Sequence, residues 1–186
     1  GGPESVTDSN TPRIPEIIFD LSIPLLGICY GMQTLAEQFG GQVSSSTTKE
    51  FGRAQITLEK TSALFDGFGS GSLIDVWMSH GDHVSTLPDE FNLIASTSSA
   101  PIAAMEHIKK PIYALQFHPE VTHTDQGKAI LENFIFKICE STPQWRMEDL
   151  IEHRIQEIKD KVGDQRVLLG LSGGVDSSVT AILLDK

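Results

Sequence analysis

The chain has 186 residues, a net charge of −11, two cysteines and a 39% share of hydrophobic residues. This is room for one full domain and a piece of another. The acidic balance, with no basic stripe, excludes nonspecific nucleic-acid binding. Two cysteines make no disulfide framework, and no apolar run approaches the ~20 residues that cross a bilayer. No secretory leader is visible, so a cytoplasmic location is expected.

The chain opens on a glycine-rich turn, Gly1-Gly2-Pro3-Glu4-Ser5-Val6. A short apolar strand, Pro24 to Ile28, then breaks into Gly27-Ile28-Cys29-Tyr30-Gly31 before a helical stretch from Met32 to Phe39. Strand, turn and helix in that order make the setting of a nucleophile elbow, with Cys in place of Ser. The flanking glycines allow a sharp turn. A thiol placed there stands near a helix N-terminus, where the dipole favours thiolate. Taken alone, the pentapeptide also suits a small buried cysteine.

Polar or glycine-rich loops are predicted at Ser44–Lys49 and Phe65–Ser72, and strands at Gln55–Leu58, Ile74–Met78, Phe91–Ala95, Ile102–Met105 and Ile112–Phe117. Just past the last strand come His118-Pro119-Glu120. Residues two apart in an extended segment point the same way, so Glu120 can orient the His118 imidazole while its other nitrogen takes a thiol proton. Thr124 is predicted to cap a helix from Asp125 to Glu140, with Ile130, Phe134 and Ile138 on one face and Cys139 in the core. The break at Glu140–Gln144 divides the chain into residues 1–144 and 145–186. A helix from Met147 to Val162 carries Leu150, Ile151, Ile155, Ile158 and Val162 at helical spacing. A strand, Arg166–Leu171, then leads through Ser172-Gly173-Gly174-Val175-Asp176-Ser177-Ser178 to a helix from Val179 to Leu184. Gly-Gly frees the backbone to wrap an anion, and the serines add hydroxyl donors at a helix N-terminus. No histidine spacing reads as a metal cage.

Cys29 with His118 and Glu120 resembles the class I (triad) glutamine amidotransferases. The resemblance implies that Cys29 is the nucleophile, His118 the general base and acid, and Glu120 its orienter. It further implies an oxyanion hole from the backbone of Tyr30 and the Gly2 region, and a glutamine site including Gln33, Ser79, His80 and Asp82. By itself, Trp77–Asp82 reads equally as a strand end with a polar turn. The segment Ser172 to Ser178 (Ser172, Gly173, Gly174, Val175, Asp176, Ser177 and Ser178) is similar to the pyrophosphate loop of the ATP pyrophosphatases. It lacks the lysine and the spacing of the Gly-x4-Gly-Lys-Ser/Thr loop.

A triad glutaminase followed by this loop resembles the layout of the GMP synthetase family. The fold implied is α/β: a doubly wound mixed sheet with flanking helices, followed by the first helix-strand-loop-helix of an adenine nucleotide alpha hydrolase-like domain. The reaction implied uses glutamine, ATP with Mg2+, and xanthosine monophosphate (XMP), giving GMP, AMP and pyrophosphate. No nucleic acid or membrane partner is expected, and a homodimer is expected for the longer protein through a region absent here. The chain begins at the oxyanion loop and stops within a helix, so it is read as an internal fragment without synthetase activity of its own. Two other readings remain open: a stand-alone cysteine hydrolase, and a non-catalytic module on the same fold.

Overall fold

The structure is a computed structural model describing residues 5–143 and 147–185, without the side chains of 46–49 and 147–149. The chain divides into two units, Gly1–Ser141 and Thr142–Lys186. The first is a mixed α/β unit built on six strands: β1 (Leu25–Ile28), β2 (Gln42–Leu58), β3 (Leu73–Thr86), β4 (Phe91–Ser96), β5 (Ala104–His107) and β6 (Ile112–Leu115). Their order across the sheet is β1-β6-β5-β4-β2-β3. β1 runs parallel to β6, and every other neighbour pair is antiparallel.

Alternation along the strands feeds two apolar layers. Ile112 and Ala114 of β6 pack with Met32, Leu35 and Ala36 of helix α2 (Tyr30–Gln38). Leu115 belongs to the opposite layer, with Ile56, Val76, Met78, Ile94 and Ile130. A strand buried on both faces reads as a continuous apolar run, which is why Ile112–Leu115 is visible in the sequence. The second layer is closed by α3 (Gly127–Glu132) and a π-helical turn, Asn133–Ile138. Phe134 and Ile138 pack against it beside buried Ile130. A single helical turn, α1 (Ile17–Asp20), precedes β1 and has no counterpart among the predicted elements.

Several expectations change. The predicted loop at Ser44–Lys49 lies inside β2, and the predicted turn at Trp77–Asp82 lies inside β3. Pairing of the long β2–β3 hairpin persists because a register shift between Ser45 and Glu50 absorbs the unmatched residues. The helix predicted from Asp125 starts two residues later and relaxes into the π-helical turn. Thr124 does not cap it, because its hydroxyl bonds elsewhere. Cys139 is only half-buried, and its burial pushes the thiol's pKa up.

In the second unit, α4 (Met147–Val162) and α5 (Val175–Asp185) form as helices, α5 four residues before its predicted start. Residues Arg166 to Leu171 form no strand; among the described residues no partner strand pairs with them, and Leu168 is 99% exposed. A strand is made by its neighbour, and an apolar run alone does not supply one. Among the described residues, no helix is long and apolar enough to cross a membrane.

Gly127 seats α3 against the loop after β6. A Cβ there would meet the Pro119 carbonyl oxygen at 2.0 Å. Gly127→Ala is expected to destabilise the first unit by about 1–3 kcal/mol, read from urea unfolding midpoints.

Candidate active site

The site begins where β1 stops. Cys29 has φ 53° and ψ −106°, a backbone conformation that residues with a side chain rarely adopt. Its N–H donates to the Leu115 carbonyl at 2.7 Å, and its carbonyl accepts from Met32 and Gln33, which winds α2 directly onto the turn. The helix therefore sits tightly on β1. A Cβ at Gly27 would meet Leu35 Cδ1 at 2.7 Å and the Gly31 backbone at 2.9 Å. Gly31 differs: a Cβ there would meet nothing within 4 Å, so only the first of the two flanking glycines is sterically required. Tyr30 opens α2, where a backbone N–H has no intrahelical acceptor. Gly2 lies outside the described residues.

β3 supplies the second wall. Asp75, Trp77 and Ser79 turn their carbonyls outward along one edge, as alternate residues of a strand do. The Asp75 carbonyl accepts from the Asp125 N–H at 3.3 Å, and that of Trp77 from the His118 N–H at 3.0 Å. The Ser79 carbonyl stands 3.6 Å from Cys29 Sγ and accepts from the thiol. Thr124 ties the loop after β6 to the same edge. Its hydroxyl donates to the His118 carbonyl at 2.6 Å and accepts the Trp77 N–H at 3.0 Å.

His118 Nδ1 lies 2.6 Å from Glu120 Oε1. The Cys29 side chain is the largest influence on the titration of the ring. Burial opposes it, but the Glu120 carboxylate and the Cys29 sulfur together raise the His118 pKa from 6.5 to about 9. His118 is thus an imidazolium at neutral pH, next to the sulfur, while Glu120 remains about half exposed. The structure brings Cys29, His118 and Glu120 together.

The remaining predicted residues divide. Gln33 is buried and donates from Nε2 to the Asp82 carbonyl at 2.7 Å. The Asp82 carboxylate accepts from Ser45 Oγ at 2.8 Å and from the Ser5 hydroxyl. The His80 side chain points to the other face of β3, away from the Ser79 carbonyl's role. It lies buried 3.1 Å from Glu50 Oε2 but without hydrogen-bond angles. Its burial, outweighing the Glu50 carboxylate, lowers its pKa. Two polar residues at the site escape the sequence reading. Thr124 carries the signature of a helix cap, and Gln116, whose Nε2 is 3.8 Å from Cys29 Sγ, reads only as part of a strand end. The cue for Gln116 is its place one residue past β6, level with Cys29 one past β1.

In the second unit, Gly173 has φ 81° and turns the loop into α5. The Ser177 and Ser178 hydroxyls donate to the Gly174 carbonyl at 3.0 and 2.9 Å, and Ser172 Oγ lies 3.1 Å from Ser177 Oγ. No group of three metal-ligating side chains occurs among the described residues.

Cys29 on its elbow and a histidine held by a carboxylate thus lie at the carboxyl ends of two parallel strands. Residues 1–138 match the family model of class-I glutamine amidotransferases, and the chain belongs to that family. Residues 146–186 match the family model of NAD synthase. Over its whole length the chain is 55% identical to GMP synthase (glutamine-hydrolyzing) of Teredinibacter turnerae and 52% identical to that of Hamiltonella defensa. It spans 37% of the length of each. Among solved structures, a Thermoplasma acidophilum protein provisionally named as one of the subunits of GMP synthase is 40% identical, with a TM-score of 0.63. That match covers 67% of this chain and 61% of the other. A glutamine amidotransferase of Thermotoga maritima, 23% identical with a TM-score of 0.52, covers 91% of this chain and 66% of its own, and shares the fold.

Two outcomes follow from this geometry. Thr124→Val strips partners from the His118 carbonyl and the Trp77 N–H; it is expected to cost about 1–3 kcal/mol in thermal or urea unfolding, with Thr124→Ser much milder. In NMR titration His118 is expected to ionise near pH 9 and to fall toward 6.5 in Cys29→Ala. A raised folded-state pKa means the protonated ring favours the fold below about pH 6.5, and this contribution fades as pH rises through about 9.

Proposed function

We propose that this chain carries the glutaminase site and the pyrophosphate loop of a glutamine-hydrolysing GMP synthase. Cys29 Sγ attacks the side-chain amide carbon of glutamine, and the carbonyl π electrons move to oxygen. The Tyr30 N–H and the Gly2 region receive that oxyanion. As the oxyanion collapses, the C–N bond breaks and His118 gives its proton to the leaving nitrogen, releasing ammonia. A glutamyl thioester remains on Cys29. Water then attacks the thioester, His118 removes its proton, and glutamate departs with the thiolate restored. Glu120 keeps the imidazole in one tautomer and supports its charge. The backbone at Ser79 and His80, with Gln33 and Asp82, forms the wall for the amino-acid end of glutamine.

Residues 1–144 are the amidotransferase domain in this reading, and 145–186 begin an ATP-pyrophosphatase domain. Ser172, Gly173, Gly174, Val175, Asp176, Ser177 and Ser178 cradle the pyrophosphate of ATP, which arrives as its Mg2+ complex. Ammonia from the first site aminates adenylated XMP to GMP in the cytoplasm.

The observation that carries the reading is a cysteine on a strained elbow beside a histidine that Glu120 holds and whose pKa the Cys29 side chain raises. The test is labelling with an electrophilic glutamine analogue, mapped by peptide mass spectrometry, with Cys139 as the internal reference. Cys29 is expected to be labelled selectively and to be protected by glutamine. Cys29→Ala should abolish glutamine hydrolysis, and His118→Ala should slow it about 10²–10⁴-fold. Equal labelling of the two cysteines without glutamine protection would overturn the reading.

A further inference from the structure

Gln116 is out of place by the standards of a core. It is fully buried between two fully buried apolar residues, Leu115 and Phe117. Its side-chain Oε1 is buried and has no hydrogen-bond partner among the described residues. An unpaired buried amide oxygen is destabilising, so an apolar side chain of similar volume would serve packing better. The other end of the amide explains the choice. Parallel pairing of β1 with β6 ends at Ile28 beside Leu115, and the next residue on each strand is Cys29 or Gln116. The Gln116 backbone is held there by its N–H bond to the Ala103 carbonyl at 2.9 Å. Its Nε2 then reaches Cys29 Sγ at 3.8 Å.

The polar groups around Sγ play opposed parts. The Ser79 carbonyl, 3.6 Å away, can only accept, so it favours the neutral thiol. An amide N–H can only donate, so it favours the anion. Cys29 is 7% exposed, and water alone provides little solvation for a charge there. We propose that Gln116 is a further catalytic residue, whose side-chain amide donates to the Cys29 thiolate as a second donor beside the His118 ring. The inference deepens the glutaminase reading and rests on it. The same hydrogen bond holds the sulfur again when the thioester is hydrolysed and the thiolate leaves.

The test is the alkylation rate of Cys29 by iodoacetamide over a range of pH, followed by mass spectrometry with Cys139 as reference. Gln116→Met is expected to slow Cys29 about tenfold at neutral pH, with the rate recovering at high pH and Cys139 unaffected. The melting temperature should hold or rise, since an unpaired oxygen is removed. In the unaltered chain, the Gln116 side-chain amide proton resonance should move when Cys29 is alkylated, a readout independent of whether the variant folds. An unchanged or faster rate in Gln116→Met, or a stationary amide resonance, overturns the assignment; a faster rate would mean that Oε1 faces the sulfur. If Cys29 of the unaltered chain reacts no faster than Cys139, the glutaminase reading falls with it. If it reacts faster and Gln116→Met leaves it so, only the role of Gln116 falls.

Discussion

The site depends on one short piece of backbone pairing. Leu25 to Ile28 runs parallel to Ile112 to Leu115, and the ladder closes with the Cys29 N–H on the Leu115 carbonyl. Both strands therefore end at the same level and release their next residues at the same rim. One rim residue is a thiol, its neighbour an amide, and two positions further lies the imidazole. Ligand sites of open α/β sheets gather at the carboxyl ends of parallel strands. Here one parallel pair, beside antiparallel neighbours among the described residues, is enough to produce such a rim.

The β3 edge makes that rim rigid. A loop carrying His118 would otherwise be weakly anchored, because it follows a four-residue strand and Pro119 has no N–H to donate. Instead its N–H, its carbonyl and the Asp125 N–H are all engaged, two of them with carbonyls of β3 and one through Thr124. These bonds fix the ring's distance from the sulfur without using the ring itself. Both imidazole nitrogens remain for chemistry, one toward Glu120 and one toward Cys29. The raised pKa of His118 is the electrostatic result of that arrangement, since both of its neighbours favour the cation.

Much of this is legible in the sequence because it is local. The elbow follows from an apolar run broken by Gly27 and Cys29, and the His118–Glu120 contact from two-residue spacing in an extended segment. α4 is legible from the spacing of Ile151, Ile155, Ile158 and Val162. What escapes depends on partners distant in sequence. The Ser-Thr-rich stretch in β2 is a strand only because β3 lies beside it, and Arg166–Leu171 forms none, with no partner strand among the described residues. Thr124 looks like a cap until His118 and Trp77 are near, and only then does its hydroxyl have something better to bond. His80, in sequence beside Ser79, faces the opposite side of the sheet, which residue identity alone does not reveal.

The backbone of Cys29 sets stability and reactivity against each other. A side chain at φ 53° and ψ −106° carries strain of about 1–3 kcal/mol, and only glycine adopts this conformation freely. Replacing Cys29 by glycine would thus release strain and yield a sturdier, inert protein. Selection for robustness alone would favour glycine over the thiol at this position.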